Sequence, residues 1–476
     1  MAVVGMAFGI FGGSMPGVSP SITMALLLPF TFTMEPIPAL ALLAATYVGA
    51  EYGGSIPAIL IRTPGTNAAA ATMIEGYEMQ RRGKGGEALG IALVASVIGT
   101  IAGLAMLILL TEPLSRLALA FRPEAYFALG VLGLSVIASV SEGSLIKGAI
   151  AAMIGLMIAT VGTDPVSGVA RFNFGSPDLL SGVPFVLVMI GLFAVSELLE
   201  QVSQPERPRD EAQKSKFRLP SFALQKTLFK ANGIGAAIGA FCGLMPGAGG
   251  TVASFMAYNE AKRFSKNKEQ FGKGAPEGVA ASESANNTDA GVGLIPLLSF
   301  GIPASNSTAI LLGGFLIHGL IPGPILFDRS PEILYGLYTG LIVAVIALPI
   351  VAVMSLKICV WLVNRPKPYL MAFILALVFS GAYTINNSMA DLYLVLAAGI
   401  LGLGMRYFGL PLLPTVLGLV LGYMVESNYR RSLVISGGDH RAFIEDPISA
   451  TFLALAAIFL IGSFVGEIRS RRKRDI

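Results

Sequence analysis

Charged residues are scarce in this chain. Asp, Glu, Lys and Arg make up 13% of its 476 residues, against about 25% in ordinary soluble domains. Cysteine is nearly absent. Cys242 and Cys359 both lie in apolar sequence, so there is no disulfide framework, and the two read as small inert hydrophobes. The two histidines, His318 and His440, have no metal-ligand spacing. There is no phosphate-cradling GxxxxGK(S/T) loop and no serine-nucleophile elbow, which argues against an ATPase or a hydrolase of those kinds. The formal charge of +4 is spread over loops and a tail, and gives no basic face for nucleic acid. No acid–base or nucleophile cluster and no cofactor motif is visible, so the chain does not read as an enzyme.

What the chain has is apolar length. It is 54% hydrophobic, with a mean hydropathy of +0.72. Uncharged runs at residues 88–110, 333–356, 368–390 and 447–466 are each near the roughly 20 residues that a spanning helix needs. Shorter uncharged runs lie at 125–141, 148–163, 179–196 and 407–425. These predict an all-α, polytopic integral membrane protein with about 10–12 transmembrane segments, counting broken ones. Much of the glycine, 56 residues, is expected at helix contacts, where small residues let backbones approach. The N-terminal stretch 1–13 is apolar and uncharged. It lacks the basic n-region of a signal peptide and is too short to span alone. The expectation there is a shortened first helix, or a start set downstream of one.

An internal repeat organises the rest. Phe11-Gly12-Gly13-Ser14-Met15-Pro16-Gly17 recurs as Phe241-Cys242-Gly243-Leu244-Met245-Pro246-Gly247, an offset of 230 residues. Ile56-Pro57 and Pro64-Gly65-Thr66-Asn67 recur as Ile295-Pro296 and Pro303-Ala304-Ser305-Asn306, an offset of 239. Broken apolar segments at matching places in two halves point to a transporter's binding site. The expected division is repeat 1 over 1–199, a basic linker over 200–230, repeat 2 over 231–468 and a basic tail over 469–476. The linker holds Arg207, Arg209, Lys214, Lys216, Arg218, Lys226 and Lys230, and its end at 220–230 reads as a short interfacial helix. The tail holds Arg469, Arg471, Arg472, Lys473 and Arg474. By the positive-inside rule both are cytoplasmic. Two further basic loops, at 81–84 and 262–273, occupy non-equivalent places in the repeats, which favours inverted over parallel repeats. A cytoplasmic linker and tail then require one unmatched span.

The motifs carry specific chemistry. Pro16 and Pro20 remove backbone donors, and Gly17 permits a left-handed turn. Met245-Pro246-Gly247-Ala248-Gly249-Gly250 does the same with glycine. Each break is either a kink that re-aims a helix or a half-helix start whose free N–H groups bind an anion. Thr66 or Asn67 can cap the helix that follows, and Ser305-Asn306-Ser307-Thr308 precede residues 309–312 in the same way. They can also offer hydroxyl and amide groups to a carboxylate or a cation. The polar run Ser282-Glu283-Ser284-Ala285-Asn286-Asn287-Thr288-Asp289 reads either as a solvated loop entering a helix, with Thr288 or Asp289 as its cap, or as a substrate or cation site. Glu51 is an ionisable residue inside an apolar segment, which makes it a functional candidate. Arg62 either pairs a substrate carboxylate or sits at an interface. The candidate substrate residues are Pro16, Gly17, Ser19, Gly53, Gly54, Thr66, Asn67, Pro246, Gly247, Gly249, Asn286, Asn287, Ser305 and Asn306. The candidate cation residues are Glu51, Thr288 and Asp289.

At these residues the chain resembles the large membrane (permease) subunit of the tripartite tricarboxylate transporters. The similarity is densest over 12–36, 47–90, 239–250 and 289–323. It includes Tyr52-Gly53-Gly54-Ser55-Ile56, Thr63-Pro64-Gly65-Thr66, Glu75-Gly76-Tyr77, Glu426-Ser427-Asn428-Tyr429-Arg430-Arg431 and Ser436-Gly437-Gly438-Asp439. The resemblance implies a multi-pass permease of the bacterial inner membrane that works with a small membrane subunit and a periplasmic solute-binding protein. It implies import of tricarboxylates such as citrate, dicarboxylates or aromatic acids, driven by an ion gradient rather than by an ATPase. Arg62 stands where members of the family often have an uncharged residue. Na⁺ symport is the expected coupling, with proton coupling or a passive anion channel as alternatives.

Overall fold

A computed structural model describes residues 1–140, 144–164, 167–203, 217–364 and 367–474. The linker bases Arg207, Arg209, Lys214 and Lys216, and the side chains of the tail bases, lie outside the described residues. The first half of the chain gives α1 (Ala2–Ser14), α2 (Pro20–Thr31), α3 (Pro36–Gly53), α4 (Ser55–Ile61) and α5 (Ala69–Arg81). It continues with α6 (Gly85–Leu119), α7 (Pro123–Val140), α8 (Leu145–Ala159), α9 (Phe185–Met189) and α10 (Ser196–Ser203). A π-helical stretch, Ile190–Val195, joins α9 to α10. A two-stranded hairpin of β1 (Gly162–Thr163) and β2 (Ala170–Arg171) precedes α9.

The second half gives α11 (Phe222–Leu244), α12 (Gly249–Phe264), α13 (Pro276–Val292), α14 (Leu294–Phe300), α15 (Asn306–Ile317) and α16 (Pro324–Arg329). Then come α17 (Pro331–Val363), α18 (Lys367–Asn386), α19 (Met389–Tyr407), α20 (Leu412–Ile435), α21 (Ala442–Glu445) and α22 (Pro447–Arg474). Among the described residues, 6 helical segments are long and apolar enough to cross a membrane, and shorter apolar helices accompany them. The protein is an all-α, multi-pass membrane protein.

Three local expectations change. Residues 222–230, expected as a short interfacial helix, are the start of α11, which runs unbroken to Leu244. No proline interrupts it, and Ser221 caps it by accepting from Leu224 N–H. The uncharged run 368–390 is not one helix. α18 stops at Asn386, Asn387 turns left-handed with φ 53°, and Ser388 caps α19. Residues 282–289 are neither loop nor cap: they form the buried middle of α13.

The chain packs as two compact units. One comprises Met1–Ser115 with Leu198–Ile385, the other Arg116–Glu197 with Asn386–Ile476. Each half of the sequence therefore contributes to both.

The first unit is built on two matching helix pairs. α3 is buried from Ala39 to Gly53, and α13 from Gly278 to Val292. Those two stretches are the same positions at the 239-residue offset. Against α3 lies α1, whose Gly5, Gly9 and Gly13 face the carbonyls of Leu42, Thr46 and Ala50; an added Cβ would collide with each. Against α13 lies α11, whose Gly235, Gly239 and Gly243 face the carbonyls of Ala281, Ala285 and Asp289 in the same way. The glycines are shifted by 230 residues and their partners by 239. Helices in lipid gain nothing from burying oil against oil, so this close backbone contact supplies the packing energy. The helix after each repeat's polar tip then crosses to the other half. Gly99 and Gly103 of α6 meet Ser284 and Thr288 of α13, while Gly336 and Gly340 of α17 meet Ile37 and Ala41 of α3.

The second unit uses the same device. Gly155 of α8 meets the Thr415 carbonyl of α20, Gly418 meets the Ala152 carbonyl, and Thr415 Oγ1 donates to Ala151 O at 2.8 Å. Gly399 and Gly402 of α19 meet Val195 and Ser196. Arg406 closes that contact, donating from Nε to Ser196 Oγ at 3.2 Å and pairing with Glu197 at 3.4 Å.

Candidate functional site

The repeated Met-Pro-Gly peptides form the same turn. Val18 N–H donates to Met15 O at 3.0 Å and Ala248 N–H to Met245 O at 3.2 Å. Gly17 has φ 87° and Gly247 φ 90°. Proline first and a positive-φ glycine second make a type II turn, in which glycine meets no steric cost. Ser19 caps α2 by accepting from Ile22 N–H at 3.3 Å. Gly17 O accepts from Gln201 Nε2, and Gly247 N–H donates to Ala304 O at 2.9 Å. This last bond ties the two breaks of the second half together. An added Cβ on Gly249 would meet open space.

The second break of each half also matches. α3 stops at Gly53 and α13 at Val292, and the chain bends at Gly54 and Gly293 before α4 and α14. Pro57 and Pro296 cannot donate to the residue four before them, which places the bend ahead of each proline. α4 and α14 then end on left-handed residues, Arg62 at φ 54° and Gly301 at φ 74°. Thr66 Oγ1 accepts from Ala69 N–H at 3.3 Å. Ser305 and Thr308 form a reciprocal capping box. Asn67 and Asn306 follow these caps, and both are exposed. Gly53 and Gly54 are contact glycines: Gly53 abuts Ile10 and Gly13, and Gly54 abuts Thr66.

Between these tips lie buried acids. Glu51 is 8% exposed and Asp289 is 3% exposed. Glu51 Oε2 and Asp289 Oδ1 have no hydrogen-bond partner, nor have the side-chain oxygens of Asn286 and Asn287. Asn286 Nδ2 reaches the Glu51 backbone carbonyl at 3.5 Å, close to the Glu51 carboxyl. Tyr47, one turn before Glu51, lies close to Glu51, Asp289 and the Ser305 side chain. Gly250, in the first turn of α12, borders the group: a Cβ there would press on Asn286 Oδ1 and lie 3.5 Å from Asp289 Oδ2.

Other candidates face elsewhere. Thr288 Oγ1 donates to Gly99 O at 3.0 Å and Ser284 O at 2.8 Å, towards α6. Asn287 Nδ2 donates to Glu283 O at 3.1 Å. Arg62 is exposed, with its guanidinium 5.7 Å from the centre of the Tyr77 ring.

Several residues of consequence were not singled out from the sequence as site residues. Tyr47 and Gly250 border the acids. Glu283 is fully buried and accepts from Thr72 Oγ1 at 2.5 Å and Ser96 Oγ at 3.0 Å. Glu75, also fully buried, accepts from Tyr258 Oη at 2.8 Å and from the N–H groups of Gly274 and Ala275 at 2.7 Å. A carboxylate at those amides fixes the start of α13.

The second unit carries an ion network from another of the sequence's notable runs. Arg171 pairs with Glu426 at 2.8 Å and Asp164 at 3.2 Å. Arg430 pairs with the same two acids at 3.0 Å and 2.6 Å. The Glu426 carboxylate holds the Arg171 guanidinium above its ordinary pKa. A cavity of about 310 Å³ borders Glu426 and Tyr429, walled by Phe127, Leu156 and Val425. Its one charged neighbour is already paired with two arginines, so this cavity offers an anion no cationic partner.

Paired broken helices around buried polar groups are the form of a membrane transport protein. The chain matches the family model described as the tripartite tricarboxylate transporter TctA family over residues 1–417. It belongs to that family. It is 38% identical over 482 aligned residues to an uncharacterized 52.8 kDa protein of Agrobacterium vitis from the TAR-I ttuC' 3' region, covering 99% of this chain and 94% of that protein. A second Agrobacterium vitis protein, from the TAR-II ttuC' 3' region, is 37% identical and covers 49% of this chain and 97% of its own length. No solved structure matches the chain.

Proposed function

We propose that this chain is the permease subunit of a binding-protein-dependent system that imports organic carboxylates by Na⁺ symport. The observation that carries the reading is the pair of matched tips. Each half has a type II turn and, past its bend, a polar tip, and the central helices between them bury a group that holds both amide and carboxyl oxygens. The helix starts after Pro16-Gly17 and Pro246-Gly247, with Thr66, Asn67, Ser305 and Asn306, would take the substrate carboxylates. The buried acids beside them would take the coupling cation. Ordered donors at one place and acceptors next to it are what co-transport of an anion and a cation requires.

The partners proposed are a small membrane subunit and a periplasmic solute-binding protein, in the bacterial inner membrane. The basic loops at 81–84 and 262–273 follow α5 and α12, which are not equivalent elements. Placing both loops, the linker and the tail in the cytoplasm supports inverted repeats over 1–199 and 231–468. A second reading is proton coupling, favoured by Glu51 and Asp289 lying buried, each with a carboxyl oxygen that has no partner among the described residues. Uptake of a panel of labelled tri-, di- and aromatic carboxylates into proteoliposomes, with and without the binding protein, tests the proposal. Uptake should require the binding protein and an imposed Na⁺ gradient. Uptake driven by a pH gradient alone would select the second reading, and uptake indifferent to any gradient would reject both.

A further inference from the structure

Asn286 sits between two carboxyls and can satisfy one of them. Its Nδ2 reaches the Glu51 backbone carbonyl at 3.5 Å, close to the Glu51 carboxyl, and its Oδ1 faces the space above Gly250, where Asp289 Oδ2 also lies. Asn286 and Asp289 are three residues apart on α13, so both point to the same side of that helix. Amide oxygen and carboxylate oxygen are both acceptors, and side by side in a dry interior they repel. Reversing the amide does not help: its NH₂ would then serve Asp289, and its oxygen would face Glu51. With both carboxyls ionised, either orientation leaves one acceptor against another, and only a bound cation or a proton relieves it. Asn286 is 1% exposed and its Oδ1 is unpartnered, as are Glu51 Oε2 and Asp289 Oδ1.

Among the described residues, no base resolves the conflict. The other titratable side chains around the pair are Tyr47, Cys242 and Glu283, and none of them carries positive charge. The space itself depends on glycine, since a Cβ on Gly250 would fill it. Gly250 needs no left-handed backbone, so the requirement is for room.

We propose that Glu51, Asn286 and Asp289 form one binding site for a single alkali cation, Na⁺, and that this site fills before the anionic substrate binds. The oxygens present are the hard ligands such a cation takes. The order follows from charge. A substrate carboxylate at the start of α12 lies beside Asp289, and its approach is opposed until a cation offsets the acid. The ordering rests on the carboxylate-permease reading; the cation site itself does not.

The test uses the full-length purified chain in lipid nanodiscs without substrate. The readout is thermal stability against NaCl, at constant ionic strength held with choline chloride. Na⁺ should raise Tm saturably, and K⁺ should do so much less. Glu51→Gln, Asp289→Asn and Asn286→Ala should each raise the half-saturating Na⁺ by about tenfold or more, since a lost charge-assisted contact of about 1.5–3 kcal/mol corresponds to that factor. Gly250→Ala should do the same without changing any ligand, and it remains informative if an acid variant fails to fold. With labelled citrate as the probe, binding to the wild type should vanish in choline and return with Na⁺. An unchanged Na⁺ midpoint in both Asp289→Asn and Gly250→Ala overturns the site. So does a Tm that follows pH and ignores Na⁺. If the midpoints shift as expected but no carboxylate is transported, the cation site stands and the function reading falls.

Discussion

The helix pairs α1–α3 and α11–α13 share their packing and divide their chemistry. Both close glycine to carbonyl at the same three positions, and both end in a bend, a short helix and a capped tip. Their central helices differ in what they bury. The buried part of α13 holds Ser282, Glu283, Ser284, Asn286, Asn287, Thr288 and Asp289, while that of α3 holds Thr46, Tyr47, Glu51 and Tyr52. At the 239-residue offset Tyr47 stands for Asn286, and Ala50 for Asp289. The backbone frame is duplicated because each copy must pack in lipid on its own contacts. The polar load is concentrated in one copy, and Tyr47 and Glu51 are what the other copy brings to the same group.

Replacing a glycine of the shared frame should have the largest effect, and it should be equal in the two copies. Gly9→Leu and Gly239→Leu each drive a side chain into a facing backbone carbonyl. Overpacking of about 3 kcal/mol is expected in both, read as loss of monodisperse protein after extraction. A fold that tolerates one and not the other would end the equivalence.

Glu283→Ala should come next, because it strands the Thr72 and Ser96 hydroxyls in the interior. At about 1 kcal/mol for each stranded hydroxyl, the melting temperature should fall clearly. Glu283→Gln, which keeps an acceptor, should recover part of the loss. The matching position, Ala44, carries no such partners, so Ala44→Ser should be nearly silent.

Asn67→Leu and Asn306→Leu change exposed tip residues, so the fold should survive. Uptake should fall about tenfold in each, from an amide contact of about 1–3 kcal/mol. Normal uptake by both would remove the tips from the site.

The smallest effects should separate Arg62 from Gly301. Both end their short helices left-handed, and glycine alone adopts that conformation freely. Gly301→Ala should cost about 1–2 kcal/mol. It also brings a Cβ to within 2.9 Å of the Pro322 carbonyl. Arg62→Gly should gain about as much backbone ease as it loses in contact with Tyr77, about 0.5–1 kcal/mol. Calorimetry of the two variants measures the difference.

Much of this frame was legible in the sequence, for a physical reason. Proline and positive-φ glycine have few substitutes, so Pro16-Gly17 and Pro246-Gly247 kept their identity in both copies. The triplets Gly5-Gly9-Gly13 and Gly235-Gly239-Gly243 were equally readable from spacing alone, but were passed over as general packing. α11 and α19 were hidden from a search for uncharged runs by Lys226 and Lys230, and by Asp391 and Arg406, near their ends. α13 was the hardest. A helix enclosed by other helices need not be apolar, so its serines and asparagines resemble a loop until its neighbours are in place. Asn286 and Gly250 acquire meaning from each other, and nothing in their spacing of 36 residues announces it.

The π-helical stretch Ile190–Val195 amounts to one residue more than an α-helix of that length holds. The extra residue is accommodated as a bulge. Removing a single residue there would let the segment regularise, and would swing everything after it by about 100° around the helix axis. Ser196 and Glu197 would then turn away from Arg406, unlocking α19 from its neighbour. The bulge thus keeps the reading frame of a helix face: deletion within it should improve local hydrogen bonding and still loosen the second unit.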